Sequence, residues 1–232
     1  MKDFANQLRD TRCVIFDMDG VIIDSEFLHK KAYYETFISL GLDVSEELYK
    51  TITGSSTINV FEKLVAHFDL DADPNALVLD KRKRYVDYFH NDPTLHLVNG
   101  VESLIKYFHA MGLVLILASS ASMPNINRVF KRFDLDQYFT GKISGADLVA
   151  SKPHPEIFIK AAMLAHTKKE HCIVIEDSDN GIQAANDAGI FVFGYQNPQS
   201  KDQTLLNADK IITNFKELET IHSENSSQLI NL

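Results

Sequence analysis

With 232 residues, the chain can form one large domain, or one domain carrying a sizeable insertion. Its composition is that of an ordinary globular protein, 45% hydrophobic, and its formal net charge of −9 argues against a polyanionic partner such as nucleic acid. No apolar stretch is long enough to span a membrane, and the opening MKDFANQLRD lacks the apolar core of a secretory signal, so a cytoplasmic protein is expected.

After that short polar leader, CVIFD (13–17) reads as a strand. Residues 25–95 then contain no convincing strand and read as helices over 25–40, 45–52, 56–68 and 73–91. Apolar residues recur there at helical spacing, as at Phe27, Ala32, Phe37 and Leu40, and DADP (71–74) supplies a helix start. The basic run Lys81 to Arg84 reads as a solvated helix face. Beyond residue 95 the rhythm changes. VESLIKYFHAMG (101–112) is a helix ending at Gly112, LVLILAS (113–119) a strand, HPEIFIKAAMLAH (154–166) a helix and CIVIED (172–177) a strand. NGIQAANDAG (180–189) is again a helix, followed by strands at IFVFGY (190–195) and KIIT (210–213). These strands are apolar almost throughout and do not alternate, as strands buried on both faces of a parallel sheet do. Cys13 and Cys172 lie inside such runs and are expected to be buried free thiols. The polar tail 223–232 is expected to fray.

The predicted fold is therefore α/β: a doubly wound parallel sheet with an inserted all-helical subdomain. The α/β core takes residues 1–24 and 96–232, and the helical block, placed as a lid, takes 25–95.

In such sheets ligands bind beyond the carboxyl ends of the strands. Asp17, Asp19 and Gly20 follow the first strand, Ser119 and Ser120 stand at the end of the second, and Glu176 and Asp177 end the CIVI strand. Lys152 sits in SKPHPE, before a helix. Clustered carboxylates call for a hard cation, and oxygen-only ligands at this density suit Mg²⁺. The serines and the lysine supply hydrogen bonds and positive charge for an anion. Together these describe a phosphoryl-transfer site, in which one carboxylate attacks phosphorus and its neighbour moves a proton. A calcium loop built on Gly20 fails, because its first ligand position would be Ile15. One built on Gly181 has Asp187 in the terminal place and again follows a strand. His29 alone reads as an ordinary helix-surface histidine.

The sequence resembles the haloacid dehalogenase-like superfamily, particularly its β-phosphoglucomutase-like phosphatases with a helical cap. The resemblance is carried in order by DMDGVIIDSE, LASSAS, SKPHPEIF and IEDSDNGIQAANDAG, and covers nearly the whole chain. It implies Asp17 as nucleophile and Asp19 as general acid and base. It implies that Ser119, Ser120 and Lys152 bind the phosphoryl group, and that Asp17, the Asp19 backbone carbonyl, Glu176 and Asp177 hold Mg²⁺. His29 matches a cap-hinge histidine that helps couple substrate binding to closure in the mutase, and the resemblance counts it with the substrate-binding residues. The dehalogenases of the superfamily lack a residue in the role of Asp19, which sets dehalogenation aside. Two positions depart from the mutase pattern: Thr57 stands where a cap arginine grips the distal phosphate, and Met123 replaces a phosphate-loop asparagine. Asn99 replaces a common proline, and Lys83 is expected near the substrate entrance.

The expected activity is Mg²⁺-dependent hydrolysis of a small phosphate monoester, a sugar phosphate or similar metabolite, by a monomer through an aspartyl-phosphate. The alternatives are a phosphosugar mutase of the β-phosphoglucomutase type and a non-catalytic phospho-acceptor like a response-regulator receiver. Receivers are much shorter and lack a helical insertion.

Overall fold

The computed structural model describes residues 4–52, 56–198 and 203–220. The tail 223–232 and residues 53–55 lie outside them. The chain divides into two compact units, Met1–Ile23 with Leu97–Leu232, and Asp24–His96.

The larger unit is built on a six-stranded parallel sheet. Its strands are β1 (Cys13–Phe16), β2 (Val114–Ser119), β3 (Gly141–Ser144), β4 (Cys172–Glu176), β5 (Phe191–Tyr195) and β6 (Lys210–Ile212). They lie in the order β3-β2-β1-β4-β5-β6. After β3 the chain returns to the far side of β1, so the topological switch point lies between β1 and β4, where such sheets bind ligands. Strands β1, β4 and β5 are buried at every residue, which is why they read as continuous apolar runs.

The helices of this unit are α1 (Phe4–Asp10), α6 (Val101–Ala110), α7 (Met123–Arg132), α8 (Glu156–Leu164) and α9 (Asp179–Ala188). Side chains alternate across the sheet. Cys13, Ile15, Ile116, Ala118, Cys172 and Val174 form one face, packed on Ile157, Phe158, Ala161, Ile182 and Ala185 of α8 and α9. On the other face, the Phe16 ring meets Phe139 edge-on at 5.7 Å, and Phe139 meets Phe130 of α7 at 5.0 Å. Cys13 and Cys172 are register partners on β1 and β4, buried and free.

The smaller unit holds α2 (Glu26–Ser39), α3 (Glu46–Ile52), α4 (Thr57–Phe68) and α5 (Pro74–Asn91). Helix α5 starts as its sequence dictates: the Asp73 carboxylate accepts from the Asn75 N–H at 3.0 Å, and Pro74 fills the first turn. The unit has its own core of Tyr33, Phe37, Tyr49, Val60, Phe61 and Leu64. Two expectations fail here. Phe27 is 41% exposed, because the inward stripe of α2 runs through Leu28, Ala32 and Thr36 at four-residue steps. Lys81 is 3% exposed, so the basic run is not solvated throughout. Its Nζ lies 4.3 Å from the Tyr33 ring centroid, 5.5 Å from that of Tyr85 and 2.7 Å from His29 Nδ1.

Candidate active site

The edge at the carboxyl ends of β1, β2 and β4 gathers most of the residues singled out in the sequence. The Asp17 N–H donates to Ile175 O at 3.0 Å, continuing the β1–β4 ladder one step past Phe16. Counting by two from Ile15 and Val174 puts Asp17 and Glu176 on the face covered by α8 and α9. Lys152 reaches them from the segment leading into α8. Its Nζ donates to Asp17 Oδ1 at 2.5 Å, to Glu176 Oε2 at 3.2 Å and to Ala118 O at 3.1 Å, with the Phe158 ring centroid 4.9 Å away. All three of these side chains are buried, as is Asp177.

Asp17, Glu176 and Asp177 each offer a carboxylate oxygen within 4.8 Å of the others, and together they could hold a metal ion. Two glycines make this packing possible. A Cβ on Gly20, whose φ is +86°, would fall on the Asp177 carboxylate; one on Gly181 would fall on that of Glu176. The Ser178 hydroxyl donates to Glu176 and accepts from the Gly181 N–H at 3.1 Å. It therefore caps α9 and orients the carboxylate together.

The charges do not balance. Burial first, then the neighbouring Glu176, push the Asp17 carboxyl up to about 8, against the opposing pull of Lys152. Burial alone would favour a neutral Lys152 amine, but Asp17 and Glu176 outweigh it and hold the ammonium charged. Lys152 thus pairs with two of the three buried carboxylates. A proton on Asp17 relieves the excess negative charge, and so would a divalent cation. The donor set, oxygen only and anionic, fits a hard one.

Residues 14–195 match the family of haloacid dehalogenase-like hydrolases. The chain belongs to that family. It is 28% identical over 203 residues to a phosphorylated carbohydrates phosphatase of Thermotoga maritima, which covers 85% of this chain and 91% of the relative. It is 29% identical over 214 residues to hexitol phosphatase B of Escherichia coli, covering 90% and 95%. Among solved structures, CbbY from Rhodobacter sphaeroides in complex with phosphate superposes with a TM-score of 0.81 at 25% identity, covering 90% of this chain and 96% of that one. This haloacid dehalogenase-like protein is an enzyme, a phosphoric monoester hydrolase.

The remaining predicted residues of this hydrolase are placed as follows. Asp19 is half-buried in the turn after β1, where it bridges to Ile23, and its charge acts on Asp17. Ser119 ends β2, 1% exposed, and its hydroxyl accepts from the Ala121 N–H at 3.1 Å; Ser120, half-buried, begins the bend that follows. His29 belongs to the helical unit. Its ring stacks on Tyr85 with centroids 4.3 Å apart and contacts Lys81. The sequence reading missed this buried lysine. It also missed Ser144, whose hydroxyl donates to Ala121 O at 2.9 Å and steadies the turn after Ser119. Ser144 is the register partner of Ser119 on a strand the sequence did not disclose.

Proposed function

We propose that the enzyme is a Mg²⁺-dependent phosphatase that hydrolyses a small phosphate monoester, a sugar phosphate or a similar metabolite, through an aspartyl-phosphate on Asp17. The observation that carries this reading is the buried trio Asp17, Glu176 and Asp177, with Lys152 bonded to two of its members. Asp17, Glu176, Asp177 and the Asp19 backbone carbonyl would hold the cation. When bound, Mg²⁺ neutralises charge on the trio and on the phosphoryl oxygens. An Asp17 oxygen attacks phosphorus in line, and the bond to the ester oxygen breaks. Asp19 gives its proton to that oxygen as it leaves. Lys152, the Ser119 hydroxyl and the backbone of the Ser119–Ala121 turn, Ser120 included, hold the equatorial oxygens. Asp19 then takes a proton from water, which attacks phosphorus and frees Asp17.

The helical unit, residues 24–96, acts as a cap that selects the substrate, with His29 and Lys81 among its polar groups. The enzyme works as a cytoplasmic monomer. In support of that location, no helix among the described residues is long and apolar enough to cross a membrane, and both cysteines are free thiols.

Hydrolysis is favoured over mutase chemistry by the residues of the helical unit. Thr57 opens α4, and Arg84 is held by Asp80 at 2.7 Å and Glu35 at 3.4 Å. Neither offers an uncommitted bidentate cation for a second phosphate. The test is a screen of phosphorylated sugars and small metabolites with Mg²⁺. Steady phosphate release, lost in excess chelator, is the expected result. Release that stops after one equivalent per chain would instead indicate a phospho-acceptor.

A further inference from the structure

Gly20 lies between the proposed acid–base residue and the rest of the chain, and it is gripped on three sides. Its N–H donates to Ile23 O at 2.9 Å. Its α-carbon faces the Asp177 carboxylate. Its carbonyl accepts from Asn197 Nδ2 at 2.7 Å, a bond joining residues 177 positions apart. Asn197 is 4% exposed and stands two residues past β5. Its own anchorage is firm: the Asn197 N–H donates to Tyr195 O and the Gln196 N–H to Ile212 O, both at 2.9 Å, so the segment stays fastened to β6.

A glycine with φ of +86° has no side chain to hold its two peptide planes. The Asp19–Gly20 peptide is trans, so the Asp19 carbonyl points opposite to the Gly20 N–H, away from Ile23 O. The direction of that carbonyl, and the gap between Gly20 and Asp177, therefore depend on Gly20 keeping its conformation. The Ile23 bond fixes one plane, and the Asn197 amide fixes the other.

We infer that Asn197 is a positioning residue for the metal site: by clamping the Gly20 carbonyl it holds the Gly20 conformation on which the Asp19 carbonyl and the Asp177 carboxylate depend. This rests on the proposed Mg²⁺ site. Outer-shell bonds made directly to ligands are typically worth about 10- to 100-fold in metal binding, and this clamp, one residue removed from the Asp19 carbonyl, should be worth the lower end of that range.

The test is calorimetric titration of Mg²⁺, without substrate, into the wild-type chain and the variants Asn197→Asp, Asn197→Ala and Asp177→Asn. Asn197→Asp keeps the shape but replaces the donor with an oxygen facing the carbonyl; Asn197→Ala removes the clamp without adding charge. We expect the wild type to bind Mg²⁺, and both Asn197 variants to bind about tenfold more weakly. With Mg²⁺ saturating, kcat should recover toward wild type and KM for the ester should stay unchanged. A purely structural role would lower the melting temperature and leave Mg²⁺ affinity alone. Unchanged affinity in either folded Asn197 variant, with Asp177→Asn weakened, overturns the inference and leaves the metal site standing. A wild-type chain that binds no Mg²⁺ overturns both.

Discussion

At the scale of single residues, the site is governed by Lys152, one buried cation among three buried carboxylates. Removing it while leaving Asp17 and Glu176 in place should be costly, because uncompensated buried charge is worse than a buried pair. Lys152→Met should lower the stability of the metal-free protein by about 3–5 kcal/mol, and Mg²⁺ should restore part of it. Urea titrations with and without the metal check this, and equal stabilities for variant and wild type would contradict it. A pH dependence follows from Asp17. Its folded pKa, about 8, lies above the ordinary value of 3.8. The proton is therefore held more tightly in the folded state. The stability it brings is complete below about pH 4 and is lost as pH rises through about 8. A metal must displace that proton, so Mg²⁺ affinity should climb with pH, by up to about tenfold per unit below pH 8. Calorimetry at several pH values should find this slope; a flat profile would mean that Asp17 is already ionised without the metal. Asp19→Asn should still bind Mg²⁺, since the proposed ligand is its backbone carbonyl, yet lose roughly 10²–10⁴-fold in turnover.

At the scale of elements, the first turn of α9 is as much a part of the site as the strand ends. Gly181→Ala makes the point. Alanine in a helix is normally better than glycine by about 1 kcal/mol. Here the new methyl would occupy the place of the Glu176 carboxylate. The variant should melt lower than wild type and need more Mg²⁺; a higher melting temperature would show that Glu176 has room to move. The elements also show what a sequence discloses and what it hides. β1, β2, β4 and β5 were legible to within a residue or so, because burial on both faces makes them unbroken apolar runs. The four helices α2 to α5 were legible from their period and, in α5, from the Asp-Pro start. β3 was not: it is four residues at the sheet edge, GKIS, with only its last residue buried. α1 passed for a polar leader. α7 is poor in apolar residues, although Ser122 followed by Pro124 is a readable helix start. In the site, carboxylates and lysine could be named from their places at strand ends and loops. That Lys152 touches Asp17 across 135 positions could not, because only the three-dimensional path of α8 brings them together. Nor could the burial of Lys81, which looks in sequence like its exposed neighbours Arg82 and Lys83. Asn197 gave one faint sign, a polar residue just past the carboxyl end of a buried strand.

At the scale of the whole molecule, the proposed function gives chemistry to the larger unit and selection to the helical one. The larger unit holds the carboxylates, and the chain leaves it after Ile23 and returns at Leu97, which pair with each other beside the Asp19 turn. A mutase would require a second anion site in the helical unit, and Thr57 supplies no charge for one. Given hexose 1-phosphate, the enzyme should release free sugar and phosphate. Conversion to the 6-phosphate faster than hydrolysis, with a bisphosphate primer present, would reassign the distal phosphate to Lys83 or Arg84. The central claim is that Asp17 becomes phosphorylated and Asp19 is needed to discharge it. Its most direct test uses Asp19→Asn with Mg²⁺ and nitrophenyl phosphate, whose leaving group departs without a proton. The account predicts a rapid burst of one equivalent of nitrophenolate per chain, then a stall, with the phosphoryl group recovered on the peptide containing Asp17. Steady release without a burst, and without phosphate on that peptide, would contradict it.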